Sequence, residues 1–264
     1  KHHGINLQEG TELAEIIDDG TGAVGAITTK AGDRIECQYV GLTAGVRPNI
    51  DFLRGTAGLE LDRGILVNDY LLTSLPNVYA IGDCAQLREA RPGRRNIEAI
   101  WYTGRMMGET VAYNILGEAV AYDPGIWFNS AKFLDIEYQV YGEVPAKGRD
   151  GLATLYWEHA KGEKAIRINY EASDGVVRGF NLMGIRYRHE VCERWIKQAT
   201  HIEEVLQNLG LANFDPEFYT EYEPDIIALY NQQTGKNLQL KQRRGLEPVL
   251  RFLGLGKYRT QATR

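Results

Sequence analysis

Thr73-Ser74-Leu75-Pro76-Asn77-Val78-Tyr79-Ala80-Ile81-Gly82-Asp83-Cys84-Ala85 decides the reading of this chain. Val78 to Ile81 is a continuous apolar run, the pattern of a parallel strand covered on both faces rather than of a half-exposed one. Gly82 ends the run with a residue that lets another backbone or a ligand approach closely. Asp83 then adds a single carboxylate. Ligands of open α/β sheets sit beyond the carboxyl ends of the strands, so a Gly-Asp pair at such an end is placed to hold a sugar-like hydroxyl. A core strand followed by a helix-capping Asp is the competing reading.

The same stretch resembles the second FAD-binding motif of the pyridine nucleotide-disulfide oxidoreductase superfamily, T-x-x-P-x-V-Y-A-I-G-D. The resemblance implies that Asp83, beside Gly82, holds the flavin ribitol. Upstream, Val40-Gly41-Leu42-Thr43-Ala44-Gly45-Val46-Arg47-Pro48-Asn49 is similar to the A-T-G-x-x-P-N segment where such chains leave the NAD(P)H domain and return to the FAD domain. Pro48 restrains Arg47 to an extended conformation, and Gly45 permits close approach. The resemblance places Gly45 and Arg47 at the lining of that domain junction. Downstream, Glu98, Trp101, Gly104, Gly108, Ala112, Asn114 and Gly117 fall on a pattern like E-x-x-W-x-x-A-x-x-x-G-x-x-x-A-x-N-x-x-G. In the family this helix points its N-terminus at the flavin pyrimidine ring. Reduced flavin carries negative charge near N1 and O2, which free N–H groups and the helix dipole stabilise. Ile100, Trp101 and Tyr102 are therefore the flavin-side candidates; packing of the two rings against the sheet is the alternative. Gly104 and Met107 depart from the pattern, which more often has Ala and Gln there.

The implied fold is α/β plus α+β: a β-meander of a nucleotide-binding domain, the closing strand and helix of an FAD-binding Rossmann-like domain, and a C-terminal antiparallel α+β interface domain. Gly20-Thr21-Gly22-Ala23-Val24-Gly25 satisfies G-x-G-x-x-G but leads into the β-rich Ala26-Ile27-Thr28-Thr29. It reads as a hairpin turn, not a dinucleotide site. Leu13 to Ile17, Ala23 to Thr29 and Arg34 to Tyr39 form the meander. With no Gly-rich pyrophosphate turn, and with Lys1 in place of Met, the chain reads as the C-terminal part of a longer polypeptide. On its own it is expected to bind FAD poorly.

From about Tyr122 the character changes. Ala131 to Glu143, Leu152 to Glu158, Ala165 to Glu171 and Val176 to Ile185 are β-rich runs separated by Gly-containing turns, predicting an antiparallel sheet. His189 to Ala199 and Ile202 to Leu209 predict two helices, with Trp195, Ile196, Val205 and Leu206 inward. The expected organisation is 1–121 nucleotide-domain remnant, 122–235 interface domain and 236–264 basic tail. A His-Pro pair, the acid/base of disulfide-reducing members, is absent from the sequence. The resemblance therefore leans towards rubredoxin or ferredoxin reductases.

At 264 residues, 44% hydrophobic and 25% charged, the chain is long enough for about two packed units. Cys37, Cys84 and Cys192 form no C-x-x-C pair, so neither a redox dithiol nor a zinc site is visible, and a reducing cytoplasmic compartment is expected. His189, Cys192 and Glu193 share a helix face, but two donors at i and i+3 make no metal site. Residues 236–264 carry eight Lys or Arg against one Glu, on a chain of net charge −5. Docking on an acidic body of the same or a neighbouring subunit, attachment to an anionic membrane through Leu246 to Gly254, and a solvated end all fit this tail. The charge balance argues against nucleic acid. The expected function is an FAD-dependent NAD(P)H oxidoreductase, a homodimer with a redox protein among its possible acceptors. An inactive interaction or dimerisation module is the alternative.

Overall fold

In the computed structural model, which describes residues 3–91, 93–214 and 220–241, the chain divides into two units, Lys1–Arg47 and Pro48–Arg264. The first contains strands β1 (Leu13–Asp18), β2 (Val24–Thr29) and β3 (Arg34–Glu36), antiparallel in the order β1-β2-β3. Between β1 and β2 the Asp18 carboxylate accepts from the N–H groups of Gly20 (2.5 Å) and Gly22 (3.2 Å). Asp19 accepts from the Thr21 N–H and hydroxyl at 2.8 and 2.6 Å. Gly20 and Gly22 take φ of 93° and 88°. The G-x-G-x-x-G string is thus a hairpin loop closed by its own aspartates.

The second unit begins with a parallel pair, β4 (Ile65–Val67) and β5 (Ala85–Leu87), and helix α1 (Trp101–Ile115). Thr103, Met107 and Val111, at helical spacing, are the buried positions of α1. Met107 and Val111 pack with Val67, Leu71, Ala80, Ala85, Leu87 and Tyr122. The strand expected over Val78 to Ile81 is a correction: Val78 is 42% and Ile81 43% exposed, and Ala80 alone of the run is buried. Asn77, at φ 62°, turns the chain back, so that Thr73 N–H bonds the Val78 carbonyl and Ala80 N–H that of Leu71. The run therefore pairs locally, through a bridge between Leu72 and Tyr79. The parallel strand follows Asp83 instead of preceding it.

The remainder is a five-stranded antiparallel sheet with helices on one face. Its strands are β6 (Phe128–Phe133), β7 (Ile136–Gly142), β8 (Leu152–Glu158), β9 (Ala165–Glu171) and β10 (Val177–Met183), in the order β6-β7-β10-β9-β8. Leu155 and Trp157, Ile166 and Ile168, and Phe180 and Leu182 alternate inward, one face per strand. Against them pack α2 (His189–Lys197), α3 (Ile202–Gln207) and α4 (Glu223–Thr234). Trp195, Val205 and Leu206 are buried as expected, and Ile196 packs at the edge of the same core. The run Ala131 to Glu143, read as continuous, is broken into a hairpin by Leu134 at φ 53°. Helix α4 was not anticipated; Pro224 in its first turn and Gly235 in the left-handed conformation after its last are both helix-boundary signals. At the close of β7, Gly142 has φ 67°, and a Cβ there would lie 2.2 Å from the Arg178 carbonyl oxygen.

A buried ion pair on the loop before α1 reaches the link into this sheet through its arginine. Arg94 meets Glu98 through two hydrogen bonds of 2.6 and 2.5 Å, with both side chains about 95% removed from solvent (5% and 6% exposed). Arg94 also donates to the carbonyls of Pro124 and Gly125, at 3.3 and 3.1 Å, and lies 5.1 Å from the Trp127 ring centroid. Removing one partner strands a buried charge. Glu98→Leu is therefore expected to lower unfolding stability by about 3–5 kcal/mol, and Arg94→Met/Glu98→Leu together to cost much less, as denaturant titration will read.

Burial also sets a pH dependence. Glu223 is 2% exposed, and desolvation, with the nearby Glu221 charge, raises its carboxyl pKa above the ordinary value despite a hydrogen bond from Tyr187. A raised folded-state pKa means that the folded protein holds this proton more tightly than the unfolded chain. The associated stability is present in acid and is lost as pH rises through the folded pKa. Thermal melts between pH 4.5 and 8 should show Glu223→Gln, which mimics the protonated acid, removing that decline relative to wild type.

Candidate functional site

The site is built where α1 meets the turn after Ile81. Gly82 to Cys84 form one turn of 3₁₀ helix, entered through extended backbone at Ile81. Gly82 takes φ 72° with open space where a Cβ would stand, and its N–H points to the Met107 sulfur at 3.3 Å. Met107 thus occupies a structural role at the position where the family pattern has Gln. The helix lies against this turn at its glycines: a Cβ on Gly104 would lie 3.5 Å from the Gly82 Cα, and one on Gly108 3.8 Å from Ile81 Cδ1, both ordinary contact distances. Asp83 is exposed, and its carboxylate has no hydrogen-bond or ion-pair partner among the described residues.

Helix α1 starts without a side-chain cap. Ile100 is its extended N-cap residue and makes no capping bond. The Thr103 hydroxyl, which stands inside the first turn, donates back to the carbonyls of Ile100 and Glu98 at 2.9 and 3.1 Å. The N–H groups of the first turn therefore remain available to an outside acceptor, at the positive end of the helix dipole. Trp101 is 68% exposed, with its ring edge-on to Tyr102 at 5.4 Å and the Arg105 guanidinium 5.9 Å from its centroid. Tyr102 is half-buried, 5.0 Å from Phe128, its hydroxyl 3.4 Å from that of Ser130. Gly82, Asp83, Ile100, Trp101 and Tyr102 all belong to the second unit, on one helix start and one turn. Gly45, at φ 96°, and Arg47 belong to the first unit.

A polyhydroxylated ligand with a ring that gains negative charge fits these residues. The unengaged carboxylate, the vacant space over Gly82 and the uncapped helix start supply its hydroxyl acceptor, its clearance and its anion-stabilising end. Sequence reasoning missed Arg94, whose contacts fix the loop leading into α1. The signal was the i, i+4 spacing of Arg94 and Glu98, a common source of exposed helix pairs that here is buried outside a helix. The His189 Nε2 comes within 3.6 Å of Glu193, whose other oxygen binds Lys197 at 2.8 Å, while the His189 ring lies between Phe128 and Tyr141 and Cys192 is fully buried.

Residues 1–108 match the family described as pyridine nucleotide-disulphide oxidoreductase. The chain is 44% identical over 86 residues to the nitric oxide reductase FlRd-NAD(+) reductase of Aeromonas hydrophila, covering 33% of this chain and 22% of that protein. It is 27% identical over 205 residues to the ferredoxin–NAD(+) reductase component of the p-cumate 2,3-dioxygenase system of Pseudomonas putida, covering 77% of this chain and 47% of that one. The solved NAD-dependent persulfide reductase of A. fulgidus shares the fold, with a TM-score of 0.70 at 21% identity, over 89% of this chain and 46% of that one. The chain thus spans less than half the length of each of these proteins. The match to the pyridine nucleotide-disulphide oxidoreductase family covers residues 1–108, and the Gly82-Asp83 turn and the start of α1 both lie within it.

Proposed function

We propose that this chain is the C-terminal portion of an FAD-dependent NAD(P)H oxidoreductase that passes electrons from a nicotinamide, through flavin, to an acceptor. The observation that carries the reading is an unengaged carboxylate, Asp83, on the turn whose Gly82 lies against Gly104 in the uncapped first turn of α1. When bound, FAD supplies the ring that takes up hydride and releases electrons. Asp83 accepts hydrogen bonds from the ribitol hydroxyls, strengthened by its full charge. The first-turn N–H groups of α1 favour negative charge at the pyrimidine edge, with Ile100, Trp101 and Tyr102 around that opening. Gly45 and Arg47, at the end of the first unit, are the remaining cofactor-side residues of this reading.

In this reading residues 1–121 belong to the nucleotide-binding domains, 122–235 to an interface domain and 236–264 to a basic tail. The residues from 242 onward lie outside those the structure describes. A redox protein is the favoured acceptor class, supported by the ferredoxin-linked relative and the absence of a His-Pro pair. Self-association into a homodimer draws support from an apolar cluster on the sheet: Phe133, Leu134 and Ile136 are 64%, 56% and 48% exposed. No helix of the described residues is long and apolar enough to cross a membrane. The three cysteines are unpaired, which suits a reducing cytoplasm.

Asp83→Ala in the flavin-loaded protein tests the assignment. Losing hydrogen bonds to a charged group worth about 1.5–3 kcal/mol should weaken FAD about 10- to 100-fold, read as lost 450-nm absorbance after gel filtration and as a higher Kd in flavin-fluorescence titration. Unchanged flavin content would remove Asp83 from the site.

A further inference from the structure

We propose that the cavity between the first turn of α1, the β6–β7 edge and the start of α2 binds a small, uncharged aromatic molecule carrying both a hydrogen-bond acceptor and a donor. The cavity holds about 240 Å³. That is below the roughly 300–1,000 Å³ of pockets for drug-sized ligands, so its occupant is about one ring in size. It shares Tyr102 with the proposed flavin side, but neither the Gly82-Asp83 turn nor Ile100 or Trp101 lines it. Successive residues of a helix turn by about 100°, and Trp101, Gly104 and Gly108 share the face of α1 that meets residues 81 and 82, while Tyr102 lies on another.

The wall is made of rings: Tyr102, Phe128, Tyr141, Tyr187, His189 and Phe214. They hold one another in place. Tyr102 meets Phe128 at 5.0 Å, Phe128 meets His189 at 4.7 Å, and His189 meets Tyr141 at 5.2 Å, the latter two edge-on. Below them Gln139, 7% exposed, is committed to accepting the Tyr187 N–H at 2.8 Å. A cavity whose rings are already fixed loses little side-chain entropy on filling, and a flat ring is the shape that such walls accept.

Two opposite charges set the chemistry. Arg186 and Glu190 both line the cavity, and the Arg186 guanidinium is stacked 4.3 Å over Phe214 and reaches Glu137 at 3.5 Å. The long Glu137 contact leaves guanidinium N–H groups for a ligand oxygen. Glu190, in the first turn of α2, is available to accept from a ligand N–H or O–H. A carboxylate ligand that pairs with Arg186 brings a second negative charge beside Glu190, and an ammonium that pairs with Glu190 brings a second positive charge beside Arg186. A neutral acceptor–donor pair, as in an aromatic carboxamide, satisfies both.

Benzamide is the probe, applied to the 264-residue chain without flavin, so that failure of the flavin reading leaves the result untouched. Ligand-observed NMR titration should show benzamide binding, with benzoate and cyclohexanecarboxamide each about ten-fold weaker, the loss of one hydrogen bond or ring contact. Arg186→Gln should weaken benzamide about ten-fold, and Glu190→Gln should bring benzoate close to benzamide, since the repelling charge is gone. Circular dichroism melts confirm that each variant is folded; should Arg186→Gln unfold, Arg186→Lys, which keeps the charge but loses the planar fork, carries the same comparison. Absence of benzamide binding, equal binding of the three probes, or a benzamide-to-benzoate ratio unmoved by Glu190→Gln would overturn the proposal.

Discussion

The buried pair of Arg94 and Glu98 holds the second unit to its working geometry. A charged pair with each side chain about 95% out of water is tolerable only when every strong donor and acceptor is met. Here Arg94 meets a carboxylate, two carbonyls and an indole face at once. Those four contacts lie on the loop before α1 and on the link into β6. They therefore fix the start of the helix relative to the antiparallel sheet, and every feature of the candidate sites is referred to that start.

Around this anchor the helix performs two distinct tasks on two faces. On one, Gly104 and Gly108 lie against residues 81 and 82. That contact sets the uncapped first turn against the turn that carries Asp83. The two polarities are complementary to a ligand that has hydroxyls at one end and an electron-accepting ring at the other. On the second face, Tyr102 begins a series of ring contacts that continues through Phe128 and His189 to Tyr141. The aromatic wall is thus a product of the join between α1 and the sheet, and neither part forms it alone.

The departures from the family pattern have physical counterparts in this arrangement. At position 104 the usual alanine would fit at ordinary contact distance, 3.5 Å from the Gly82 Cα, whereas Met107 places a soft sulfur against the Gly82 N–H where a glutamine amide is more common. A packed, 2%-exposed methionine also adds its apolar surface to the core beneath the turn. The parallel pair β4 and β5 is short, three residues each, and the turn carrying Asp83 immediately precedes β5. The carboxylate thus stands at the entrance to a strand.

Local rules determined much of this protein. The Asp-Gly turns of the meander, the alternating runs of β8 and β9, and the inward positions Trp195, Val205 and Leu206 depend on backbone preference and hydrophobic period, which each segment carries within itself. The motif residues around Asp83 were likewise legible as a contiguous string. Tertiary structure alone decided the rest. Val78 to Ile81 has the composition of a doubly covered strand, yet burial depends on which neighbours lie alongside, and Asn77 turns the run back on Leu71 to Thr73. Arg94 and Glu98 look like an ordinary surface pair until Trp127 and the 124–125 carbonyls close over them. The wall of the aromatic cavity draws on residues 102 through 214. Sequence spacing encodes contacts within one element, whereas desolvation and cavity shape are set by elements distant along the chain.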